Sequence, residues 1–329
     1  MTVIFGVFLL TLLVITAVAI VRSDNLFSAV ILLGIFSLLM AANFFLLDAA
    51  DVALTEAAIG AGVSTVLFLG ALALTGDLES SKAKRGLLAI IVVSIPTLLI
   101  VFATFDKPRF ADPDAPVHQH VGPWYIENTP ELIDIPNAVT AVLGSFRGYD
   151  TLGEVFVVFT AGIGVLFLLS ARPIARLDLQ VASKDPAKGL RHYLVPRVVG
   201  RFLIPFIFLF GLYVQFHGEY GPGGGFQAGA IIASAVILYS LLEGEHRALR
   251  AIPMSALHWM VAGGALLYTG VGVASMLLGG NFLDYSVLLS DPVAGQQMGI
   301  ILIEAGVGLT VTGVLLSIFH AFAARGKTS

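Results

Sequence analysis

The sequence contains no cysteine among its 329 residues, which excludes disulfides, thiolate-bound iron–sulfur clusters and c-type haem attachment. If the chain serves a redox machine, the electrons travel through other chains. Charge is scarce as well: 12% of residues are Asp, Glu, Lys or Arg, against about a quarter in a typical soluble domain. With 57% hydrophobic residues and a mean hydropathy of +0.92, the chain reads as an integral membrane protein. A cleavable secretory signal is also missing. The first apolar run, Val3 to Val21, has no basic region before it and ends at Arg22 rather than at a small-residue cleavage site. It is expected to remain as the first span. No nucleophile–base–acid constellation appears, so neither an enzyme nor a cofactor is expected, and no nucleic-acid partner.

What the sequence does have is long apolar runs. A membrane-spanning helix needs about 20 apolar residues, and nine segments qualify: 3–21, 26–47, 52–75, 87–105, 149–170, 199–217, 223–242, 256–278 and 297–322. The fold class is therefore all-α, polytopic, with the termini on opposite sides. Placing the amino terminus outside and the carboxyl terminus in the cytoplasm puts fifteen of the eighteen Lys and Arg residues inside, leaving Lys107, Arg109 and Arg147 outside. Cytoplasmic loops are enriched in these residues, so the count supports the orientation.

Two loops interrupt the rhythm. Asp106 to Gly148 is Pro-rich and polar, with Trp124 and Tyr125 at interface positions and a semi-apolar patch, Asn137 to Phe146, expected as a short surface helix over an outer cap. Ala171 to Val198 mixes charges with Pro173, Pro186, Gly189 and Pro196 and forms the best domain boundary. The expected segments are 1–78, 79–175, a cytoplasmic linker at 176–198, and 199–329.

Three glutamates lie within otherwise apolar spans, where an ionisable side chain marks a functional site by default. Glu56 is five residues past Asp51, roughly 7 to 8 Å along a helix. Its competing reading is a helix start stabilised by the dipole, an effect that fades beyond the first turn. Glu304 lies about 12 Å along its helix from Gln296, too deep for that explanation, and Gly306 and Gly308 beyond it allow close helix approach. Glu154 has two open readings, since Thr151-Leu-Gly-Glu154 has the spacing of a capping box.

The stretch from His217 to Ala230, HGEYGPGGGFQAGA, carries five glycines and a proline within residues 218–225, which forbids regular helix. Irregular backbone at membrane depth survives only when buried in protein or lining a wet cavity. Neither phosphate-binding glycine pattern fits it. His217 and Glu219 are candidates for a proton relay or for rimming a tight turn. His118 and His120 lie in a Pro-rich exposed run and are rejected as a metal site, and His258, Asn43, Asp284 and Tyr285 read as satisfied polar or interfacial residues.

HGEYGPGGGFQAGA closely resembles the signature of the B subunit of Mrp-type sodium/proton antiporters, and residues 199–325 read as that four-span protein. DVALTEAAIGAG at 51–62 and FRGYDTLGE at 146–154 look like the carboxyl-terminal portion of the A subunit of the same antiporters. That portion is shared with the D and E subunits of membrane-bound hydrogenases and is similar to a hydrophobic subunit of respiratory complex I, so 1–78 is expected to be D-like and 79–175 E-like. The family usually has Gly-Ala-Pro where this chain has Asp48-Ala-Ala, and the turn before the third span is expected to differ. The resemblance implies a multi-subunit complex in the inner (plasma) membrane that exchanges sodium for protons among membrane lipid. By that resemblance a separate chain is expected to supply the large proton-channel part of the A subunit. Glu56 and Glu154 stand at positions of family carboxylates implicated in transport, Glu304 joins them by its depth, and Phe226 and Gln227 belong with His217 and Glu219 in the signature. Two other readings remain: a membrane-arm subunit of a hydrogenase or complex I-like redox enzyme, and a passive scaffold.

Overall fold

The computed structural model describes residues 2–75, 77–78, 86–109, 112–169 and 194–325. Among these, nine helices are long and apolar enough to cross a membrane. The spans are α1 (Thr2–Arg22), α2 (Leu26–Leu46), α3 (Ala50–Thr75), α4 (Leu87–Thr104), α7 (Gly148–Leu169), α8 (Leu194–His217), α9 (Gly225–Glu243), α11 (Met254–Leu277) and α12 (Pro292–Arg325). Short helices lie between them: α5 (Val121–Leu132), α6 (Ala138–Ala141, continued by a π-helical turn Val142–Phe146) and α10 (Glu245–Ala251). The expected linker at 176–198 falls outside the described residues up to 193. Its last residues, 194–198, belong to α8, which starts five residues earlier than its apolar core because Leu194, Val195 and Val198 continue the hydrophobic run.

Local chemistry sets several helix ends. Asn25 caps α2 by accepting from the Ser28 N–H at 2.8 Å, and Pro292 opens α12, where its missing N–H costs nothing. Before α3, Asp48 adopts φ 59°, a left-handed conformation that glycine takes freely and Asp tolerates. The substitution of the family's glycine therefore sits at a residue whose backbone favours glycine. Inside α3 the hydrogen-bond ladder widens to a π-helix over Glu56–Val63, a distortion that is frequent at functional sites.

The core gathers around α12, which packs against α9, α11, α7 and the second half of α3. Small residues permit this. A Cβ at Gly225 would run into the Glu304 carbonyl, and one at Gly264 into the Gly306 carbonyl and Thr310, so the backbones of α9 and α11 lie directly on α12. Tyr268 and Tyr285, both fully buried, tie this core to the start of α7 and to α6 by donating to the carbonyls of Gly148 (2.7 Å) and Gly144 (3.1 Å). Burial pushes the Tyr285 hydroxyl pKa well up, so it remains a donor.

The segment expected as a surface helix at 137–146 is instead inserted. Thr140, Ala141 and Gly144 are buried, because the patch places its small residues against Ile300 of α12 and the loop after α8. Semi-apolar character marked a helix packed against protein here, not one lying on a membrane surface.

Candidate functional site

The turn between α8 and α9, residues 218–224, folds back into the bundle and is held by one side chain. Asn137 does two things at once. Its Oδ1 caps α6 by accepting from the Val139 N–H at 3.0 Å, while its Nδ2 donates to the carbonyls of Gly218 and Gly221, both at 3.0 Å, and to Asp51 Oδ1 at 3.2 Å. Thr140 Oγ1 adds a 2.6 Å bond to the same Gly218 carbonyl. Carbonyls of the irregular loop are thus satisfied by protein side chains, as a non-helical backbone within a membrane bundle requires. Gly224, at φ 120°, then turns the chain into α9.

Beneath this loop lies Glu304. A Cβ added at Gly224 would stand 3.2 Å from Glu304 Oε1, and one at Gly218 3.3 Å from it, so the carboxylate rests against bare backbone. Two further carboxylates belong to the loop's surroundings: Glu219 stands in the loop itself, and Asp51 is bonded to Asn137, which holds it. Asp51 Oδ1 also accepts from the Gly223 N–H at 3.4 Å. Glu219 Oε1 is buried and has no hydrogen-bond partner among the described residues, and burial raises the Glu219 pKa above the ordinary carboxylate value.

Gln227 links this cluster to α3 by donating to Thr55 Oγ1 at 2.8 Å. The next residue, Glu56, opens the π-helix, and its carboxylate lies along Gly60 beside the buried Ser37 of α2: a Cβ at Gly60 would meet Glu56 Oε1 at 2.6 Å and Ser37 Oγ at 2.7 Å. Glu56, Gln227, Glu219 and Glu304 therefore share one end of the bundle. His217 stacks between Tyr213 (4.7 Å between ring centroids) and Tyr220 (6.3 Å) at the rim of the loop. Phe226 packs into the core around Tyr268 and Ile303 and shapes the loop by anchoring it.

Glu154 is not brought to this cluster. It lies on an exposed face of α7 with Val157, which is 70% exposed. The capping-box reading of Thr151 and Glu154 is corrected: α7 already begins at Gly148, and Thr151 Oγ1 donates to the Leu143 carbonyl at 2.9 Å. The chain reverses at Arg147 and Gly148, so Thr151 falls inside the helix rather than before it.

The opposite end of the bundle carries a second charged group that sequence reading passed over. Glu243, 5% exposed at its side chain, is held by Arg201 of α8 and, at 2.5 Å, by Arg247 of α10. His320 of α12, also buried, has Nδ1 3.9 Å from Glu245. The arginines stood out only as topology markers, and the acids sit at a helix end, where no depth signal draws attention to them. Asp51 and Asn137 were missed at the first end for a similar reason: each is unremarkable until the fold brings it to the loop.

Comparison with known proteins gives this geometry a context. Residues 195–317 match the model of a domain related to the MnhB subunit of Na+/H+ antiporters, and residues 11–77 match that of the D subunit of MBH. A putative antiporter subunit mnhB2 of Staphylococcus haemolyticus is 34% identical over 130 residues, which cover 92% of that protein and 39% of this chain. The chain belongs to the MnhB-related family of antiporter subunits. The MnhB-related part is joined here to a part that resembles the MBH D subunit. A similar juxtaposition occurs in a probable K+/H+ antiporter A/B subunit of Rhizobium meliloti, 27% identical over 326 residues. That alignment covers 90% of this chain, which spans about a third (32%) of the relative's length. The fold is similar to a chain of the Mrp complex from Dietzia sp. DQ12-45-1b, with a TM-score of 0.75 at 28% identity over 96% of this chain and 34% of that one.

Proposed function

We propose that this chain is one component of a multi-subunit secondary antiporter of the inner (plasma) membrane, exchanging sodium for protons. The observation that carries the reading is the Glu304 carboxyl group resting against the Gly218 and Gly224 backbone inside an otherwise apolar bundle, with Glu219 in that loop and Asp51 bonded to it. Such a group can hold a proton or, when ionised, offer oxygen to a partly dehydrated sodium ion. Competition between the two ions then couples their movements, driven by roughly 2.3 kcal/mol per charge per 100 mV of membrane potential. Glu56 extends the polar line through Gln227 into α3, and Glu154 serves the same transport from the face of α7, against other subunits.

The experiment is Glu304→Gln in the intact complex, because Gln keeps the shape but cannot gain or lose a proton. Sodium/proton exchange in vesicles is expected to fall to background while the complex still assembles. Normal exchange by the assembled variant would leave the cluster a structural feature and the chain a scaffold. Equal exchange with potassium would move the cation assignment toward that named for the Rhizobium relative. The match to the MBH D subunit favours the redox reading, which predicts iron–sulfur or nickel proteins among the co-purifying subunits; their absence supports the antiporter.

The amino terminus is proposed to lie outside, on the basic asymmetry. Val117→Cys, at a position 61% exposed, is expected to react with an impermeant thiol reagent in intact cells. Ser255→Cys, at the opposite end, should react only after lysis. The reverse order would invert the topology.

A further inference from the structure

Between α8, α9 and α10, at the end of the bundle opposite the carboxylate cluster, lies a cavity of about 510 Å³, within the range of roughly 300 to 1,000 Å³ typical of small-molecule sites. Its walls are apolar, formed by Ile204, Pro205 and Phe208 of α8, Ala235 and Tyr239 of α9, and Ala251 of α10. Hydrophobicity alone would say only that lipid is near. The arrangement of charge says more.

On α8 the cavity-lining residues continue a single helical face upward: Arg197, Arg201, Ile204, Pro205 and Phe208 are spaced by four, three, one and three residues and so stack one above another. From Arg197 to Phe208 is roughly 16 Å, about half of a bilayer's hydrocarbon core. The basic end of that face meets α10, where Arg247 and Arg250 immediately precede or neighbour the lining residues Ala248 and Ala251. Among the described residues, four arginines thus lie on the stretches of α8 and α10 beside the cavity, with two acids, Glu243 and Glu245; Arg250 has one terminal nitrogen 2.9 Å from His246 Nε2. Arg201 uses only Nε and Arg247 only one terminal nitrogen on Glu243, although a guanidinium has five N–H donors. Arg197 Nε is buried with no hydrogen-bond partner among the described residues. An unpartnered guanidinium N–H two helical turns above an apolar cavity calls for an anion that carries a hydrocarbon chain.

We infer that this cavity is a binding site for an anionic phospholipid, whose phosphate is held by Arg197, Arg201, Arg247 and Arg250 and whose acyl chain fills the crevice between α8 and α9. Bidentate pairing suits arginine to phosphate, and basic pockets between membrane helices bind such headgroups. Spare charge beyond the needs of Glu243 is what selects an anionic lipid over a zwitterionic one.

The test uses the purified complex, with native mass spectrometry of bound phosphatidylglycerol or cardiolipin against phosphatidylcholine. Arg201 and Arg247 are left intact because they hold Glu243. The wild-type complex is expected to retain anionic lipid at one site per copy of this chain. Arg197→Gln and Arg250→Gln are each expected to weaken that binding by about fivefold, the factor one basic residue contributes at an anionic surface. Ala235→Trp, which fills the cavity without touching charge, should abolish it, and size-exclusion profiles identify any variant that fails to assemble. Equal retention of phosphatidylcholine, or anionic binding unchanged by all three variants in assembled complexes, would overturn the site. So would crosslinking from a photoreactive residue at Ala251 into another subunit, since a protein helix would then occupy the crevice.

Discussion

Every residue of α4 is exposed, whereas two-thirds (67%) of the most apolar window of α12 is buried within this chain. Both helices satisfy the same length and hydropathy test, with mean hydropathies of 2.7 and 2.0. The difference lies in small and polar residues. The α12 sequence carries Gly295, Gly299, Gly306, Gly308 and Gly313, together with Glu304, Thr310, Thr312, Ser317 and His320, while α4 has no glycine and no ionisable residue, and twelve of its eighteen residues are Leu, Ile, Val or Phe. In lipid an apolar side chain gains little by meeting another helix, so close packing of small residues and polar contacts decides which helices associate. The more hydrophobic of the two is therefore the less integrated.

This contrast can be broken most sharply at glycine. Gly225→Val drives a side chain into the Glu304 backbone carbonyl, which has no freedom to move aside. It is expected to destabilise the chain at or beyond the upper end of the roughly 1 to 3 kcal/mol typical of overpacking, with loss of the monodisperse protein in detergent. Gly164→Val, on the exposed face of α7 with nothing within 4 Å of the added carbon, should leave the thermal stability of the same preparation unchanged. Equal damage from both would show that burial within this chain does not decide the outcome.

Glu154 tests the exposed side of the comparison. Since Thr151 is no cap, Glu154→Gln and Glu154→Ala are expected to behave alike: stability unchanged, and cation/proton exchange of the intact complex lost in both. If Ala lowers the melting temperature and Gln does not, a structural hydrogen bond has been overlooked. Normal exchange in both would leave the carboxylate without a transport role.

The smallest effect is a pH slope. Burial raises the Glu219 pKa in the folded protein, so the native state binds its proton more tightly than the unfolded chain does. Stability is then expected to fall as pH rises from the ordinary carboxylate value through the raised one, and to stay lower above it. Glu219→Gln should flatten that portion of the melting-temperature profile. An identical slope in the variant would mean that another group carries it.

Span number, all-α class and the placing of Glu56 and Glu304 inside long apolar helices were legible in the sequence, because hydrogen bonding in lipid leaves a long apolar run no structure but a helix. HGEYGPGGGFQAGA was legible for a related reason: five glycines and a proline cannot continue a helix. The sequence alone could not show that Asn137, some 80 residues before the loop, holds its carbonyls, or that Asp51 bonds to the same loop and Glu304 rests against it. Such contacts depend on which helices touch, and helix choice in lipid rests on packing details distributed over several elements. The capping-box reading at Thr151 failed on the same ground. Four residues of correct spacing determine a cap only if the chain turns there, and tertiary contacts through Tyr268, Tyr285 and Gly148 had already started the helix three residues earlier.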